Sequence, residues 1–263
     1  MSDLILREDM GHVTRLVLNS PGNFNALSAE MIATLYTTLA SLSAEEGVRV
    51  IIIAANGRAF CAGHDLRQMQ AARANLDRGR AGFAALFDGC GQVMQLISSL
   101  PQPVIAEVAG IATAAGCQLV ASCDLAVAAK GAKFGVNGID VGLFCSTPAV
   151  ALSRTIPRKA AFEMLVTGDF ITATEAARLG LVNRAVPPEK LQADTMALAQ
   201  KIAAKLPAAI AMGKRSFYEQ LAHDTADAYE AAADTMTANM MLPDTDEGIR
   251  AFLEKRSPAW AQD

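Results

Sequence analysis

Apolar residues along this chain form short continuous runs that alternate with segments of helical spacing. The runs at 4–6 and 13–18 predict two strands. The run at 50–55 is uninterrupted, so we expect a strand that is buried on both faces. Beyond Ser28, a candidate N-cap, apolar positions recur every three or four residues up to Leu42 and predict a helix. This alternation indicates an α/β fold with a largely buried sheet.

The last part of the chain has a different pattern, in which apolar positions follow helical spacing from about Ala199 onward and no strand pattern recurs. Before it, Thr172 and Glu175 form a capping box at the start of a helix that Gly180 ends. We therefore divide the chain into residues 1–198, a core of strands and helices, and residues 199–263, a helical C-terminal region.

Two predicted strands each lead through a loop of small residues into a helix. Strand 50–55 is followed by the loop 56–65, where Asp65 is a candidate N-cap for a helix that extends to about residue 77. Strand 104–108 is followed by Ala114-Ala115-Gly116 and a helix over 117–123. The first amides of a helix lack intrahelical partners, so two such loops can each donate one N–H to the oxygen of a polarised carbonyl.

Composition limits the partners that we expect. Hydrophobic residues make up 52% and charged residues 19% of 263 residues, which is typical of one large packed protein. A net charge of −4 argues against nucleic acid or an anionic membrane as a partner.

The first residues lack a basic segment and a long apolar segment, so we expect a cytoplasmic location. The 5 cysteines include no CxxC pair, so we expect reduced thiols and no metal site.

Several segments in this order, NALS, AFCAGHDL, AGIATAAGCQLVASCDLAVA, LVTGDFITATEAARLGLV and GIRAFLEKR, resemble the crotonase (enoyl-CoA hydratase/isomerase) superfamily. The similarity covers essentially the whole chain. It implies a ClpP/crotonase-like core, built as a spiral of ββα turns, with a C-terminal helical region that makes trimers or pairs of trimers. We therefore expect a homo-oligomer.

The resemblance also implies a ligand, an acyl-CoA whose thioester carbonyl lies between two loop amides. These amides map to Ala62 and Ala115. Coenzyme A would be part of the substrate, and no tightly bound cofactor is expected. Further positions map to the coenzyme A path, the last two of them in the tail of the same or a neighbouring subunit: Ala26, His64, Asp65, Leu66, Arg67, Gly116, Phe252 and Lys255.

The chain departs from the family where hydratases carry two carboxylates, because these positions map to Gln118 and Gly138. A glutamine orients a ligand by hydrogen bonds but takes no proton, and glycine does neither. Loss of a positioned acid or base costs about 10²–10⁴ in rate. We therefore expect the standard two-carboxylate hydration to be inefficient.

Three other side chains near these motifs have two interpretations each. Ser146 is either a hydroxyl that faces the acyl group or the N-cap of a helix that starts at Thr147. Cys145 is either a nucleophile or a core residue. His64 is either an exposed loop residue or a side chain that contacts coenzyme A and titrates near neutrality.

These observations predict an acyl-CoA-binding enzyme that resembles enoyl-CoA hydratases and isomerases. One alternative is a thioester hydrolase or isomerase that uses water, Ser146 or Cys145. The other is a catalytically weak acyl-CoA-binding protein.

Overall fold

A computed structural model describes residues 3–260, and within this range the chain forms two β-sheets surrounded by helices. The strands are β1 (Ile5–Met10), β2 (Val13–Leu18), β3 (Val50–Ala55), β4 (Ala59–Cys61), β5 (Val104–Val108), β6 (Ile111–Thr113), β7 (Leu125–Ala129), β8 (Lys133–Gly135), β9 (Ile171–Thr172) and β10 (Arg184–Val186). The helices are α1 (Ala29–Leu42), α2 (Leu66–Ala72), α3 (Arg80–Ser99), α4 (Ala115–Ser122), α5 (Ser146–Thr155), α6 (Arg158–Thr167), α7 (Ala173–Leu179), α8 (Leu191–Ala203), α9 (Pro207–Gln220), α10 (Thr225–Met240) and α11 (Pro243–Leu253).

The larger sheet has six strands in the order β1-β2-β3-β5-β7-β10, and all of its pairs except β1–β2 are parallel. The smaller sheet has the order β4-β6-β8-β9, and its first two pairs are parallel. Loops that follow parallel neighbours leave from the same edge of a sheet. The loops after β4, β6 and β8 therefore converge.

The predicted α/β fold with a helical C-terminal region is confirmed, with corrections to three boundaries. Helix α2 ends at Ala72, several residues before the expected end near residue 77, and α4 begins at Ala115. Helix α8 begins at Leu191, so the proposed division between residues 198 and 199 falls inside a helix. Among the described helices, none has the length and apolar composition that a bilayer span requires.

Capping side chains fix the helix starts that the sequence predicts. The side chain of Ser28 accepts a hydrogen bond from the Met31 amide at 3.1 Å. Asp65 accepts from the amide of Arg67 at 2.9 Å, and Thr172 caps α7 in the same way. Such caps satisfy backbone donors that have no partner within the helix.

The core lies on both faces of the larger sheet. All but the last residue of β3 is buried, as its uninterrupted apolar run predicts. On one face, Ala199 and Ala203 of α8 pack over Val13, Val50 and Ile52. Helix α8 is therefore part of the core packing rather than of a separate tail.

A buried ion pair joins the C-terminal helices to this core. The Lys214 ammonium of α9 lies 2.7 Å from the Asp124 carboxylate and also donates to the carbonyls of Ile97 and Gln102. The Tyr218 hydroxyl donates to the other carboxylate oxygen at 2.8 Å. Burial lowers the pKa of Lys214, and the nearby carboxylate opposes this effect. The ammonium satisfies three acceptors at once.

Replacing Lys214 with methionine should destabilise the protein strongly, because the Asp124 carboxylate would lose its counter-charge and two carbonyls would lose a donor inside the protein. Removing one partner of a buried pair costs about 3 kcal/mol or more. The measurement is thermal and urea unfolding. Arg178→Met, in an exposed pair with Glu175, is the control and should leave the melting temperature unchanged. Equal effects of the two substitutions would contradict the anchoring role of Lys214.

Candidate active site

The loop after β4 offers a different free amide from the one expected. The Ala62 amide donates to the Phe24 carbonyl at 3.0 Å, so the expectation that it is free is wrong. The Gly63 carbonyl accepts from the Leu27 amide at 2.7 Å. Within the described residues the next amide, that of His64, has no acceptor. The His64 amide is therefore a free donor of this loop.

The loop after β6 supplies a second free amide at the expected position. The Ala114 amide donates to the Gly135 carbonyl at 3.0 Å, and α4 begins with the next residue. The first intrahelical bond here runs from the Gln118 amide to the Ala114 carbonyl. Ala115 is the first helical residue, so its amide lacks an intrahelical acceptor.

Two glycines allow the two loops to touch. A Cβ on Gly63 would lie 2.8 Å from the Ala114 Cβ and 3.2 Å from the Ala115 nitrogen. A Cβ on Gly116 would lie 2.1 Å from the Cys61 carbonyl oxygen. No side chain fits at either position without movement of the backbone. This contact holds the amides of His64 and Ala115 next to each other.

The residue between the two loops carries backbone strain. Ala114 has φ +50° and ψ −121°, a conformation that favours glycine. Such a conformation costs about 1–3 kcal/mol in a residue with a Cβ. Ala115 itself is helical, so its alanine side chain causes no such strain.

Gln118 lies one helical turn after Ala115 and is buried. Its Oε1 atom is buried and has no hydrogen-bond partner among the described residues. A buried acceptor without a donor costs about 1–3 kcal/mol. The position that the family resemblance assigns to a carboxylate thus carries an unpaired neutral acceptor.

The second such position, Gly138, has no room for a side chain. A Cβ there would lie 2.4 Å from the Leu143 carbonyl oxygen and 2.8 Å from the Cys145 sulfur. The Leu143 amide also donates to the Gly138 carbonyl at 2.9 Å. The loop that follows therefore fills the space of the missing carboxylate.

Cys145 and Ser146 lie at the end of this loop. Burial raises the pKa of the Cys145 thiol, so the thiol is protonated at neutral pH and is a weak nucleophile. Ser146 is the first residue of α5 rather than its N-cap, which corrects one of the two interpretations. Its exposed hydroxyl donates to the Phe144 carbonyl at 3.4 Å. Among residues 3–260, no side-chain hydrogen bond joins either of them to a base: the Ser146 hydroxyl meets only the Phe144 carbonyl.

Comparison with known proteins identifies the family at this point. The family model for enoyl-CoA hydratase/isomerase matches residues 8–263. The chain belongs to the enoyl-CoA hydratase/isomerase family. A curated relative is the mitochondrial enoyl-CoA hydratase domain-containing protein 3 of Mus musculus, which is 47% identical over 249 residues, or 95% of this chain and 81% of the relative. The crotonyl-CoA hydratase of Syntrophomonas wolfei is 34% identical, over 96% of this chain and 95% of that protein.

Solved structures of the enoyl-CoA hydratase/isomerase family share the fold of this chain. The enoyl-CoA hydratase of Mycobacterium smegmatis is 54% identical with a TM-score of 0.94, covering 98% of this chain and 99% of that one. The human enoyl-CoA hydratase domain-containing protein 3 is 43% identical with a TM-score of 0.93, covering 98% and 100%. The predicted crotonase fold is therefore confirmed.

The expected cytoplasmic location is wrong by the same comparison. The vertebrate relatives, including those of Mus musculus and Homo sapiens, are named as mitochondrial proteins. The composition of the first residues alone is therefore a weak indicator of the cellular location.

Most positions that family resemblance assigns to coenzyme A lie on or beside the two contacting loops. Asp65 uses its carboxylate to cap α2, and Leu66 and Arg67 in the first turn of that helix are exposed. Ala26 is buried just before Leu27, which pairs with the first loop. Gly116, as described above, belongs to the second loop.

Phe252 and Lys255 lie apart from this group. Phe252 is in α11, which packs on α10, and its side chain is 82% exposed. Lys255 follows the helix with φ +56° and is exposed. Within one chain these two residues are not buried against the loops.

An apolar cavity of about 550 Å³ lies between α1, α2 and α3, close to the first loop. It is lined by side chains from all three helices, among them Ile32, Tyr36, Met69, Phe83 and Leu86. Its volume is in the range of about 300–1,000 Å³ that is typical of small-molecule sites. Sequence reasoning missed this cavity, because it depends on how three helices separate.

Replacing Ala114 with glycine should stabilise the protein by about 1 kcal/mol, since relief of the strained φ exceeds the entropy that glycine adds to the unfolded chain. Thermal unfolding measures this change. Ala121→Gly in the helical part of α4 is the control and should destabilise by about 1 kcal/mol. A loss of stability in both variants would contradict the strain at Ala114.

Proposed function

We propose that this protein binds an acyl-CoA and polarises its thioester carbonyl between the amides of His64 and Ala115. The observation that carries the proposal is the pair of free amides on two loops in direct contact. Backbone donors held in this way stabilise the negative charge that develops on a thioester oxygen when the acyl group reacts. The two loops are already in contact, so the amides of His64 and Ala115 need no change of backbone conformation to approach each other.

The residues favour proton movement within the acyl group over efficient two-carboxylate hydration. Gln118 can orient a ligand but takes no proton, and the loop next to Gly138 excludes a carboxylate there. A hydrolase that depends on Cys145 has little support, since its thiol is protonated. An isomerase-type reaction through an enolate requires the amides and one base only.

The second candidate is a binding protein with little turnover. The absence of an ionisable group at both Gln118 and Gly138 favours it. Turnover of any acyl-CoA separates the two functions, because a binding protein retains affinity and releases the ligand unchanged.

We also propose that the protein is a homo-oligomer, as the family resemblance implies. The C-terminal helices expose large apolar side chains, which is costly for a monomer and typical of an interface. Examples on α9, α10 and α11 are Phe217, Tyr229, Met236, Met240 and Phe252. Assembly would allow Phe252 and Lys255 to reach the coenzyme A site of a neighbouring subunit.

The thioester carbonyl should contribute directly to affinity. Calorimetry would compare butyryl-CoA with S-butyl-CoA, a thioether of the same length that lacks the carbonyl. Two hydrogen bonds of about 1 kcal/mol each predict that the thioether binds about 10- to 100-fold more weakly. Free coenzyme A serves as the reference. Equal affinity of thioester and thioether would rule out the two-amide site.

We further propose that the cavity between α1, α2 and α3 receives the alkyl chain of longer acyl groups. The cavity lies one turn beyond Asp65, on the helix that leaves the first loop, and its lining is mostly apolar. Each methylene buried there contributes about 0.8 kcal/mol. Affinity should therefore rise with chain length.

Gly82→Leu should fill this cavity, because Gly82 lines it and has open space around its Cα. We expect dodecanoyl-CoA to bind at least about 10-fold more weakly, as the loss of two buried methylenes already predicts, while butyryl-CoA binds as before. Gly91→Leu on the same helix is the control, since Gly91 lies outside the lining. A uniform change for both ligands would contradict the assignment.

A further inference from the structure

The direction of the His64 amide is determined by the peptide unit to which it belongs. That unit joins the Gly63 carbonyl to the His64 nitrogen, and it is trans. A trans unit is planar, so its C=O and N–H point in opposite directions. The Gly63 carbonyl accepts from the Leu27 amide at 2.7 Å. The His64 N–H therefore points away from the segment 24–27.

Segment 24–27 also holds the residues on either side of this peptide unit. The Ala62 amide donates to the Phe24 carbonyl at 3.0 Å. Nδ1 of His64 lies 3.3 Å from the Leu27 carbonyl oxygen, and the two residues form an isolated parallel bridge. Three successive residues of the first loop are thus docked on one short segment. The His64 N–H is left without an acceptor among residues 3–260.

The side chain of His64 takes part in this docking, so the expectation of an exposed loop histidine is wrong. Its ring is partly buried and meets the Phe87 ring edge-on, with centroids 5.3 Å apart. Burial lowers the pKa of His64, and the Leu27 carbonyl opposes this effect. The imidazole is therefore neutral at pH 7 and contributes packing to the docked loop.

The backbone of segment 24–27 begins with two residues in the left-handed region. Phe24 has φ +58° and Asn25 has φ +55°. Asparagine adopts this conformation more readily than most residues with a Cβ, whereas a bulky side chain rarely does. Such a turn persists only where the surrounding contacts impose it. The contacts that hold this turn therefore decide where the Phe24 carbonyl points.

The side chain of Asn25 supplies contacts of this kind and is completely buried. Its Oδ1 atom accepts from the Ser20 amide at 2.8 Å. Its Nδ2 atom donates to the carbonyls of Asn56 and Ala59, at 2.8 and 2.9 Å. Only a side-chain amide has one acceptor and two donors to satisfy these three groups. Asn25 thus ties the turn to both ends of the connection between β3 and β4.

We propose that Asn25 is the positioning residue for the His64 amide, an inference that rests on the proposed function. Its side chain holds the left-handed turn, and the turn presents the Phe24 carbonyl and the Leu27 amide to the first loop. Those two groups fix the peptide unit that ends at His64. Without them the unit is free to rotate at Gly63, since glycine adopts many backbone conformations. A rotated unit would turn the N–H away from the thioester oxygen.

The test measures the carbonyl stretching frequency of bound butyryl-CoA by isotope-edited infrared spectroscopy, with ¹³C in the thioester carbon and saturating ligand. Two fixed donors polarise the C=O bond, so the wild type should lower this frequency below its value in buffer. The readout reports the donors themselves. A residue that contributes only to stability would change the melting temperature and leave the frequency of the bound ligand unchanged.

Two substitutions remove the contacts of Asn25 in different ways. Asn25→Asp keeps the shape of the side chain but offers at most one donor to the two carbonyls. Asn25→Gly removes the side chain and tolerates the positive φ. Both should lose about half of the frequency shift, because one of the two donors moves out of place. Free coenzyme A should bind to both variants within a few-fold of its wild-type affinity.

Asn183→Gly is the matched control. The Asn183 side chain also accepts from a backbone amide, that of Ala126 at 2.8 Å, but it lies just before β10 in the larger sheet. This variant should melt at a lower temperature and retain the full frequency shift. Melting temperature and affinity for butyryl-CoA are measured for every variant, so that loss of folding is not mistaken for loss of a donor.

The outcomes separate this inference from the function on which it rests. If the wild type binds no butyryl-CoA, or binds it without a lower carbonyl frequency, the proposed function itself fails. If the wild type lowers the frequency and either folded Asn25 variant retains the full shift, the positioning role is overturned while the two-amide site stands. Failure of both variants to fold also overturns it, because the side chain would then serve the fold as a whole. Partial loss of the shift in folded variants that still bind coenzyme A supports the role of Asn25.

Discussion

The close contact between two backbone loops is the constraint on which the candidate site depends. Strands β4 and β6 are parallel neighbours, so the loops after them leave from one edge of the smaller sheet. Gly63 and Gly116 then bring the backbones so close that a Cβ at either position would overlap the opposite loop. Strain at Ala114 accompanies this approach. The two amides are thus positioned by packing that a ligand does not have to organise.

The proposed site offers neutral groups, rather than carboxylates, to a charge that develops on a ligand. Its donors are two amides, and Gln118 adds a neutral acceptor that is buried and unpaired. Fixed dipoles in a dry environment act more strongly than the same groups in water.

Apolar periodicity predicts most of the fold, and small-residue loops predict where the site lies, since both depend on local pattern. The choice between Ala62 and His64 as the first donor depends on a contact with the Phe24 carbonyl, from a segment almost forty residues away. Phe24 has φ +58°, which nothing in its side chain indicates. The space beside Gly138 likewise depends on the path of a later loop. Tertiary contacts of this kind are outside the reach of sequence patterns.

The two positions that the family resemblance assigns to carboxylates differ in physical character. At Gln118 the change is chemical, because glutamine and glutamate have nearly the same shape and a carboxylate would fit in the same buried volume. At Gly138 the change is structural, because the Leu143 carbonyl and the Cys145 sulfur lie where a Cβ would be. A glutamate at Gly138 therefore requires a different path for the loop between Gly142 and Cys145. Residue type alone therefore removes the carboxylate at Gln118, whereas at Gly138 the packing of the neighbouring loop excludes any side chain as well.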